Sequence, residues 1–155
     1  MKYSPVEPVA RTKNSENWLE NGIIVSRNTG NSVIELSEAQ ELTCAFEKFC
    51  AGHGPRPLMV DLATPKGQSR ETREYFSNNP RHLATYSAAA LLISNPISRV
   101  LANFYLGLNR PQRPTRLFTD YHQAMQWLKV FAETQPSSER VSADQANIKK
   151  DLDAA

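Results

Sequence analysis

Three segments of the chain repeat one order of apolar and polar positions. In each, an apolar run typical of a β-strand ends at a small polar residue, and a helix with a capping side chain follows. The three runs are residues 57–62 before Ser69, 87–93 before Asn95, and 115–118 before Asp120. Alternating strands and helices predict an α/β domain, and runs this continuous are typical of parallel strands that are covered on both faces.

The amino-terminal half predicts a β-hairpin and a helix. Two short apolar segments, 23–25 and 33–36, flank the turn residues 28–31, which favours an antiparallel pair. Ser37 and Gln40 have the spacing of a capping box, so we expect Ser37 to cap the first helix. The apolar face of this helix is formed by residues three and four positions apart: Ala39, Leu42, Phe46 and Phe49.

The carboxyl-terminal half predicts three further helices. Ser69 caps a short one, in which Arg70 and Glu74 form an i,i+4 pair on the outer side. The other two helices begin at Asn95, which is followed by a proline, and at Asp120. The run of alanines at 88–90 could equally begin a helix; as part of a strand, it lets strands and helices alternate to the end of the predicted domain.

These elements predict one domain over residues 16–133, with polar segments at both ends. Residues 1–15 are polar and contain two prolines, so we expect a flexible leader and ordered structure from about Trp18. Residues 134–155 are rich in Ser, Asp, Lys and Gln and predict a mobile polar tail. A chain of 155 residues is long enough to bury the core of one such domain without disulfides.

The composition argues against several classes of protein. A hydrophobic share of 40% is too high for a disordered chain. With 18 basic and 16 acidic residues, the net charge is too small to attract nucleic acid or an anionic membrane. The amino terminus lacks the apolar run of a signal peptide, and no segment approaches the roughly 18 apolar residues of a membrane span. We therefore expect a cytoplasmic protein.

The two cysteines, Cys44 and Cys50, are six positions apart on a predicted helix. At about 100° per residue their side chains point to different sides, so we expect no disulfide between them. We expect reduced thiols in the core, where cysteine is commonly found.

The order of hairpin, helices and strands resembles the STAS fold of anti-sigma-factor antagonists and the related small bacterial CRAL-TRIO-like domains. Over residues 18–131 the sequence is similar to a family of uncharacterised bacterial STAS/CRAL-TRIO-like (SpoIIAA-like) proteins. The likeness is carried by residues 19–23 (LENGI), 57–61 (PLMVD), 88–92 (AAALL), 94–99 (SNPISR), 104–109 (FYLGLN) and 114–119 (PTRLFT). The resemblance implies a STAS-like fold with an amino-terminal β-hairpin and a mixed, largely parallel sheet.

The STAS resemblance further implies a partner-switching module that is controlled by phosphorylation at the start of the helix after the central strand. Ser69 is the nearest match to the phosphorylated position, with Thr64 behind it. The sequence departs from the STAS pattern at this turn, because residues 64–68 (TPKGQ) replace the expected Asp-Ser-Ser-Gly-type motif.

A candidate binding surface follows from the predicted parallel strands. In open α/β sheets, ligands bind beyond the carboxyl ends of the strands, where helix N-termini present N–H groups. We call this surface the rim and expect a protein partner or a small anion to bind there. Its predicted members are Asp61, Thr64, Ser69, Arg70, Ser94, Asn95, Thr119 and Asp120. The alternative is that Ser69, Asn95 and Asp120 only cap helices.

A second candidate site is a patch of arginines that could hold an anion. Its members are Arg99, Arg110, Arg113 and Arg116. Guanidinium groups suit a phosphate or an acidic partner, whereas the alternative is a solvated loop, since clustered charges usually face water. Aromatic residues are not interleaved with these arginines as a base-stacking platform, so we do not expect nucleic acid as the partner.

Recognisable catalytic and metal-binding motifs are missing from the sequence. His53, His82 and His122 lie on separate segments without the spacing of metal ligands, and we expect them at the surface or as caps. The chain has no Gly-rich phosphate loop, nucleophile elbow or paired catalytic carboxylates. We therefore expect no enzymatic activity, no cofactor and no metal.

Two functions remain open. The first is a non-catalytic regulatory or protein-interaction module of STAS-like type, whose partner binds the rim. The second, implied by the CRAL-TRIO resemblance, is a carrier or sensor of a lipid or other small apolar ligand held between sheet and helices. An enzyme with an unrecognised site has the least support. We also predict a homodimer contact, because Tyr105 and Leu106 lie off the inward stripe of their helix.

Overall fold

The computed structural model describes residues 3–62, 67–94 and 111–134. The strands are β1 Ala10–Arg11, β2 Ser15–Glu20, β3 Ile23–Asn28, β4 Arg56–Asp61, β5 Tyr86–Leu92 and β6 Thr115–Phe118. The helices are α1 Leu36–Cys50, α2 Arg70–Asn78, α3 Pro80–Leu83 and α4 Tyr121–Thr134. Within these ranges, no helix has the length and hydropathy needed to cross a membrane.

The six strands lie side by side in chain order. β1, β2 and β3 pair antiparallel, whereas β3, β4, β5 and β6 run parallel to one another. Pro57, Leu58 and Met59 are consecutive in β4 and all buried, as a strand covered on both faces requires. The prediction of a mixed, largely parallel sheet behind an amino-terminal hairpin is confirmed.

The hairpin lies one element earlier than predicted. It joins β2 to β3 through Asn21 and Gly22, which have φ angles of 53° and 80°. Two successive residues with positive φ give a turn whose twist matches that of the paired strands. The segment predicted as the second strand contains only a single bridge, from Ile34 to Gln68, before α1 begins at Leu36. The turn at residues 28–31 is therefore not the hairpin turn.

The segment that precedes the hairpin, which contains Tyr3 and β1, is part of the fold. β1 pairs with β2, and the Tyr3 ring stacks on Tyr121 at the start of α4 with 4.0 Å between ring centroids. Trp18, where ordered structure was expected to begin, is the fourth residue of β2 and is completely buried. From Tyr3 onward, the segment predicted as a flexible leader instead packs on the domain. The predicted tail lies outside the described residues after Thr134.

The first turn of α1 is fixed differently from the predicted capping box. Glu35 is the N-cap residue and no side chain caps the helix, because Ser37 already lies inside it. The buried carboxylate of Glu38 instead accepts hydrogen bonds from Thr12 Oγ1 at 2.7 Å and from Asn14 N and Nδ2 at 2.9 and 2.6 Å. These bonds tie the start of α1 to the turn between β1 and β2.

The core has one layer on each face of the sheet. The predicted apolar face of α1 is confirmed, since it packs on one face of the sheet, and α4 packs on the other. On the α4 side the layer contains Trp18, Ile23, Val25, Met59, Ala88, Ala90, Leu92, Ala124 and Leu128. On the α1 side it contains Ile24, Leu42, Phe46 and Leu58. Burial of each large side chain stabilises the fold by about 1.5–3 kcal/mol.

His82 lies in the core rather than at the surface, so that prediction is wrong. The short helix α3 turns the imidazole inward, where the residue is 4% exposed and Nδ1 lies 2.9 Å from Thr43 Oγ1. Four aromatic rings have centroids within 6.0 Å of the imidazole: Phe46, Tyr75, Phe76 and Tyr86. Burial lowers the pKa of His82 to about 4, so the ring is neutral near pH 7.

The two cysteines are free, but Cys44 is not in the core as predicted. Cys44 lies on the exposed side of α1, because Leu42 and Phe46 occupy the side that packs on the sheet. Cys50 is half-buried and its thiol donates to the carbonyl oxygen of Thr85 at 3.0 Å. Burial raises the pKa of the Cys50 thiol, so it stays protonated.

We expect Glu38→Ala to lower the free energy of unfolding by about 2–4 kcal/mol, because the donors on Thr12 and Asn14 lose a buried acceptor. Glu41→Ala, on the exposed side of the same helix, is the control and should change stability by less than about 0.5 kcal/mol. Urea unfolding followed by tryptophan fluorescence measures both. Equal effects of the two substitutions would contradict a structural role for the Glu38 carboxylate.

We expect the stability of the domain to fall as pH drops from the ordinary histidine pKa of 6.5 toward about 4. In that window the unfolded chain binds a proton at His82 that the folded protein does not. This difference in proton binding lowers the free energy of unfolding by about 3 kcal/mol when the pH reaches about 4. His82→Gln should remove this part of the dependence, while His122→Gln, on the exposed side of α4, should retain it. Urea unfolding at roughly pH 7 and pH 5 measures the difference. An unchanged pH dependence in His82→Gln is the contrary result.

Candidate functional site

The carboxyl ends of the four parallel strands lie at one edge of the sheet. The last residues of β4, β5 and β6, which are Asp61, Leu92 and Phe118, align in the ladder register with Arg27, the next-to-last residue of β3. The amide after β4 donates to Leu92 O, and the amide after β5 donates to Phe118 O, both at 2.9 Å. The residues that directly follow these strands therefore lie at a common edge, as the predicted parallel strands require, while the use of this edge as a binding surface stays a prediction.

The rim contains both exposed side chains and helix caps. Ser94, Thr119 and Asp120 are exposed at the strand ends. Ser69 Oγ accepts a hydrogen bond from Thr72 N at 3.2 Å and so caps α2, as predicted. The carboxylate of Asp120 accepts from the amide of Gln123 at 2.9 Å. Capping is thus the observed role of two of the predicted rim residues.

Ser69 is held beside the strand ends by the loop before α1. Its amide donates to Ile34 O at 3.3 Å, and Ile34 N donates to Gly67 O at 3.2 Å. Arg70 is exposed in the first turn of α2, and its Nε lies 3.2 Å from Glu74 Oε1, which is the predicted i,i+4 pair. An exposed pair of this kind contributes only about 0.3–0.5 kcal/mol, so Arg70 can exchange this partner for another.

Asp61 lies on the α4 face and does not face solvent. It is 8% exposed and accepts a hydrogen bond from the Tyr3 hydroxyl. Arg27 fixes the same tyrosine, because its guanidinium donates to Tyr3 O at 2.7 Å and lies 5.3 Å above the Tyr3 ring and 5.2 Å above that of Trp18. The amino-terminal segment therefore covers the rim on this side of the sheet.

Tyr3 and Tyr121, whose rings stack on each other, form a cluster in which both hydroxyls are hydrogen-bond donors. Burial, strengthened by the hydrogen bond to Asp61, raises the pKa of Tyr3 above the usual range. Burial and the hydrogen bond to Glu20 raise the pKa of Tyr121 in the same direction. Neither phenol ionises near pH 7, so this cluster joins the chain terminus to the sheet and α4 without supplying a base.

The two described arginines of the predicted patch, Arg113 and Arg116, make separate contacts. Arg113 donates from Nε to Tyr86 O and from Nη2 to Leu83 O, both at 3.3 Å, so it binds backbone at the amino end of β5. Arg116 lies on the α4 face with its guanidinium 5.3 Å above the Phe118 ring. The structure does not bring these two into one anion site, because each guanidinium has its own intramolecular partners.

Several predicted residues lie outside the described part of the chain. They are the rim residues Thr64 and Asn95, the arginines Arg99 and Arg110, and the dimer residues Tyr105 and Leu106. Among the described residues, no cluster of three or more His, Cys, Asp or Glu side chains could hold a metal ion.

The structure also contains a cavity whose position and size were not predicted from the sequence. It lies between the sheet and the helices α1, α2 and α3 and has a volume of about 140 Å³. His82 contributes to its wall, together with the apolar residues Leu42, Phe46, Leu58 and Phe76. The run of alanines in β5 is the one sequence signal for this space, because Ala89 leaves room on the cavity side.

Residues 17–132 match the family model of a domain of unknown function, DUF7793. An uncharacterised DUF3478-family protein with a SpoIIAA-like fold, from Shewanella loihica PV-4, is 13% identical, with a TM-score of 0.51 over 77% of this chain and 90% of that one. A protein with unknown function from Arthrobacter sp. FB24 is 30% identical over 73% of this chain and 97% of that one, with a TM-score of 0.28.

None of the curated proteins matches the sequence. The Shewanella structure supports the fold alone, and it agrees with the mixed sheet described above. Because the family model covers most of the sequence, the chain belongs to the DUF7793 family, and its domain has a SpoIIAA-like fold.

Proposed function

We propose that the chain is a non-catalytic protein-interaction module of regulatory type, whose partner binds the rim. The observation that supports this most is the common edge, at which β4, β5 and β6 end together and exposed Ser94, Thr119 and Asp120 follow. Side chains placed at the end of a rigid sheet lose little conformational entropy when a partner binds, which favours recognition. The STAS resemblance implies the same kind of role.

The chemistry of the edge favours binding over catalysis. A general base needs a pKa near the working pH and access to a substrate. The Asp61 carboxylate is engaged by Tyr3, and both tyrosines of the cluster have raised pKa values. A serine nucleophile needs an adjacent base, whereas Ser69 Oγ contacts the amide and the hydroxyl of Thr72, at 3.2 and 2.7 Å.

A lipid carrier, the alternative that the CRAL-TRIO resemblance implies, has less support. The cavity between sheet and helices has a volume of about 140 Å³. Pockets for drug-sized ligands occupy roughly 300–1,000 Å³. An acyl chain is therefore too large for this cavity, although a much smaller molecule fits.

We expect Ser94→Arg and Thr119→Arg to weaken capture of the partner by about tenfold or more, because each places a large charged side chain in the contact. The matched controls are Ala84→Arg and Gln112→Arg, exposed positions that precede the same two strands at the opposite edge. Affinity capture with quantitative mass spectrometry identifies a partner whose capture differs between the rim variants and the controls. Titration of that purified partner then gives its affinity for each variant. Equal binding by all four variants would contradict the proposal.

We expect Ser69→Ala to destabilise the domain by about 1 kcal/mol, because Thr72 N loses its capping acceptor. Ser69→Asp retains an acceptor at this position and should unfold close to the wild type, while adding a negative charge to the rim. Urea unfolding compares the two variants. If Ser69→Asp loses the cap as fully as Ser69→Ala does, the capping geometry is wrong and partner capture by this variant cannot be interpreted as a surface effect.

A further inference from the structure

The cavity between the sheet and helices α1, α2 and α3 has the walls of a small-molecule site. Apolar side chains form most of its surface, including Ile34, Leu42, Phe46, Leu58 and Phe76. Its volume of about 140 Å³ is close to that of an engineered apolar cavity of about 150 Å³ that binds benzene. The space therefore suits a single six-membered ring.

The hydrogen bonds of Thr43 determine the tautomer of His82, which lines this cavity. The Thr43 hydroxyl has one proton, and it donates that proton to the carbonyl oxygen of Ala39 at 3.0 Å. The same oxygen accepts from the Tyr75 hydroxyl at 2.8 Å. The contact of 2.9 Å with His82 Nδ1 must then use a proton on the imidazole. Nδ1 carries the proton, and Nε2 carries a lone pair.

The lone pair on Nε2 has no partner among the described residues. His82 is 4% exposed, and among the residues that the structure describes its side chain makes one hydrogen bond, between Nδ1 and Thr43. Burial keeps the ring neutral near pH 7, so Nε2 is an acceptor and not a donor. His82 contributes to the cavity wall, so a ligand hydroxyl in the cavity would give this acceptor a donor.

We propose that this cavity binds a small aromatic molecule carrying one hydroxyl group, with the ring between the apolar side chains and the hydroxyl donating to His82 Nε2. The site is separate from the rim and does not rest on the proposed protein partner. Phenol is the probe that combines the required size with one donor. From the efficiencies of small ligands, its dissociation constant is on the order of 0.1–1 mM.

Two ligands and the unmodified protein provide the first test. Toluene has nearly the shape of phenol but no donor, so both should bind and phenol should bind more tightly. In protein labelled with ¹⁵N, the Nε2 resonance of His82 should shift when phenol binds and remain in place when toluene binds. Failure of phenol to saturate at millimolar concentration, or a bound phenol that leaves Nε2 unchanged, would overturn the proposal.

Variants provide the second test. His82→Phe retains an aromatic ring and removes Nε2, so phenol affinity should fall about tenfold while toluene affinity is unchanged. His122→Phe, at an exposed position of α4, is the matched control. Ala89→Ile adds side-chain volume on the cavity wall and should abolish binding of both ligands. Circular dichroism shows whether each variant is folded. Unchanged phenol binding by folded His82→Phe or by folded Ala89→Ile would refute the assignment. If neither variant folds, the measurement on the unmodified protein decides.

Discussion

The parallel register of β3, β4, β5 and β6 is the constraint on which the other features depend. Strands of one direction that are paired without a large offset must finish at the same edge, and the two backbone bonds beyond β4 and β5 extend this alignment. The start of α4 and the loop before α2 also lie at that edge, so polar side chains from distant parts of the sequence lie close together there. A shift of one residue in any of these strands would move each of its side chains to the opposite face of the sheet.

The two candidate sites share structural elements. Leu62 and Gln68 line the cavity, and they are the chain neighbours of the rim residues Asp61 and Ser69. On the other face of the sheet, Tyr3 and Arg27 occupy the corresponding region. One end of the sheet therefore has an apolar cavity on the α1 side and a covered polar cluster on the α4 side, with exposed residues between them.

Features encoded by short local patterns could be predicted from the sequence. The continuous apolar runs gave β4, β5 and β6 to within a residue, because buried parallel strands need apolar residues on both faces. The caps at Ser69 and Asp120 were recognisable because capping uses a side chain two or three residues from its partner. The common edge then followed from the alternation of strands and helices.

Features set by distant contacts could not be predicted in this way. The hairpin was misplaced because Asn21-Gly22 and residues 28–31 both suit turns, and only the pairing of β2 with β3 decides between them. Glu38 replaces the capping box through bonds to residues more than 20 positions earlier. His82 is buried because α3, α1 and α2 converge around it, and nothing in its own sequence neighbourhood indicates this.

Nuclear Overhauser contacts between the ends of neighbouring strands test the central claim most directly. The account predicts cross-strand contacts that join Leu62 to Leu92 and Ile93 to Phe118, with slow hydrogen exchange of the Leu62 and Ile93 amides. Close contacts between α-protons across β4 and β5, which are typical of antiparallel pairs, would contradict it, and the rim would then have no structural basis.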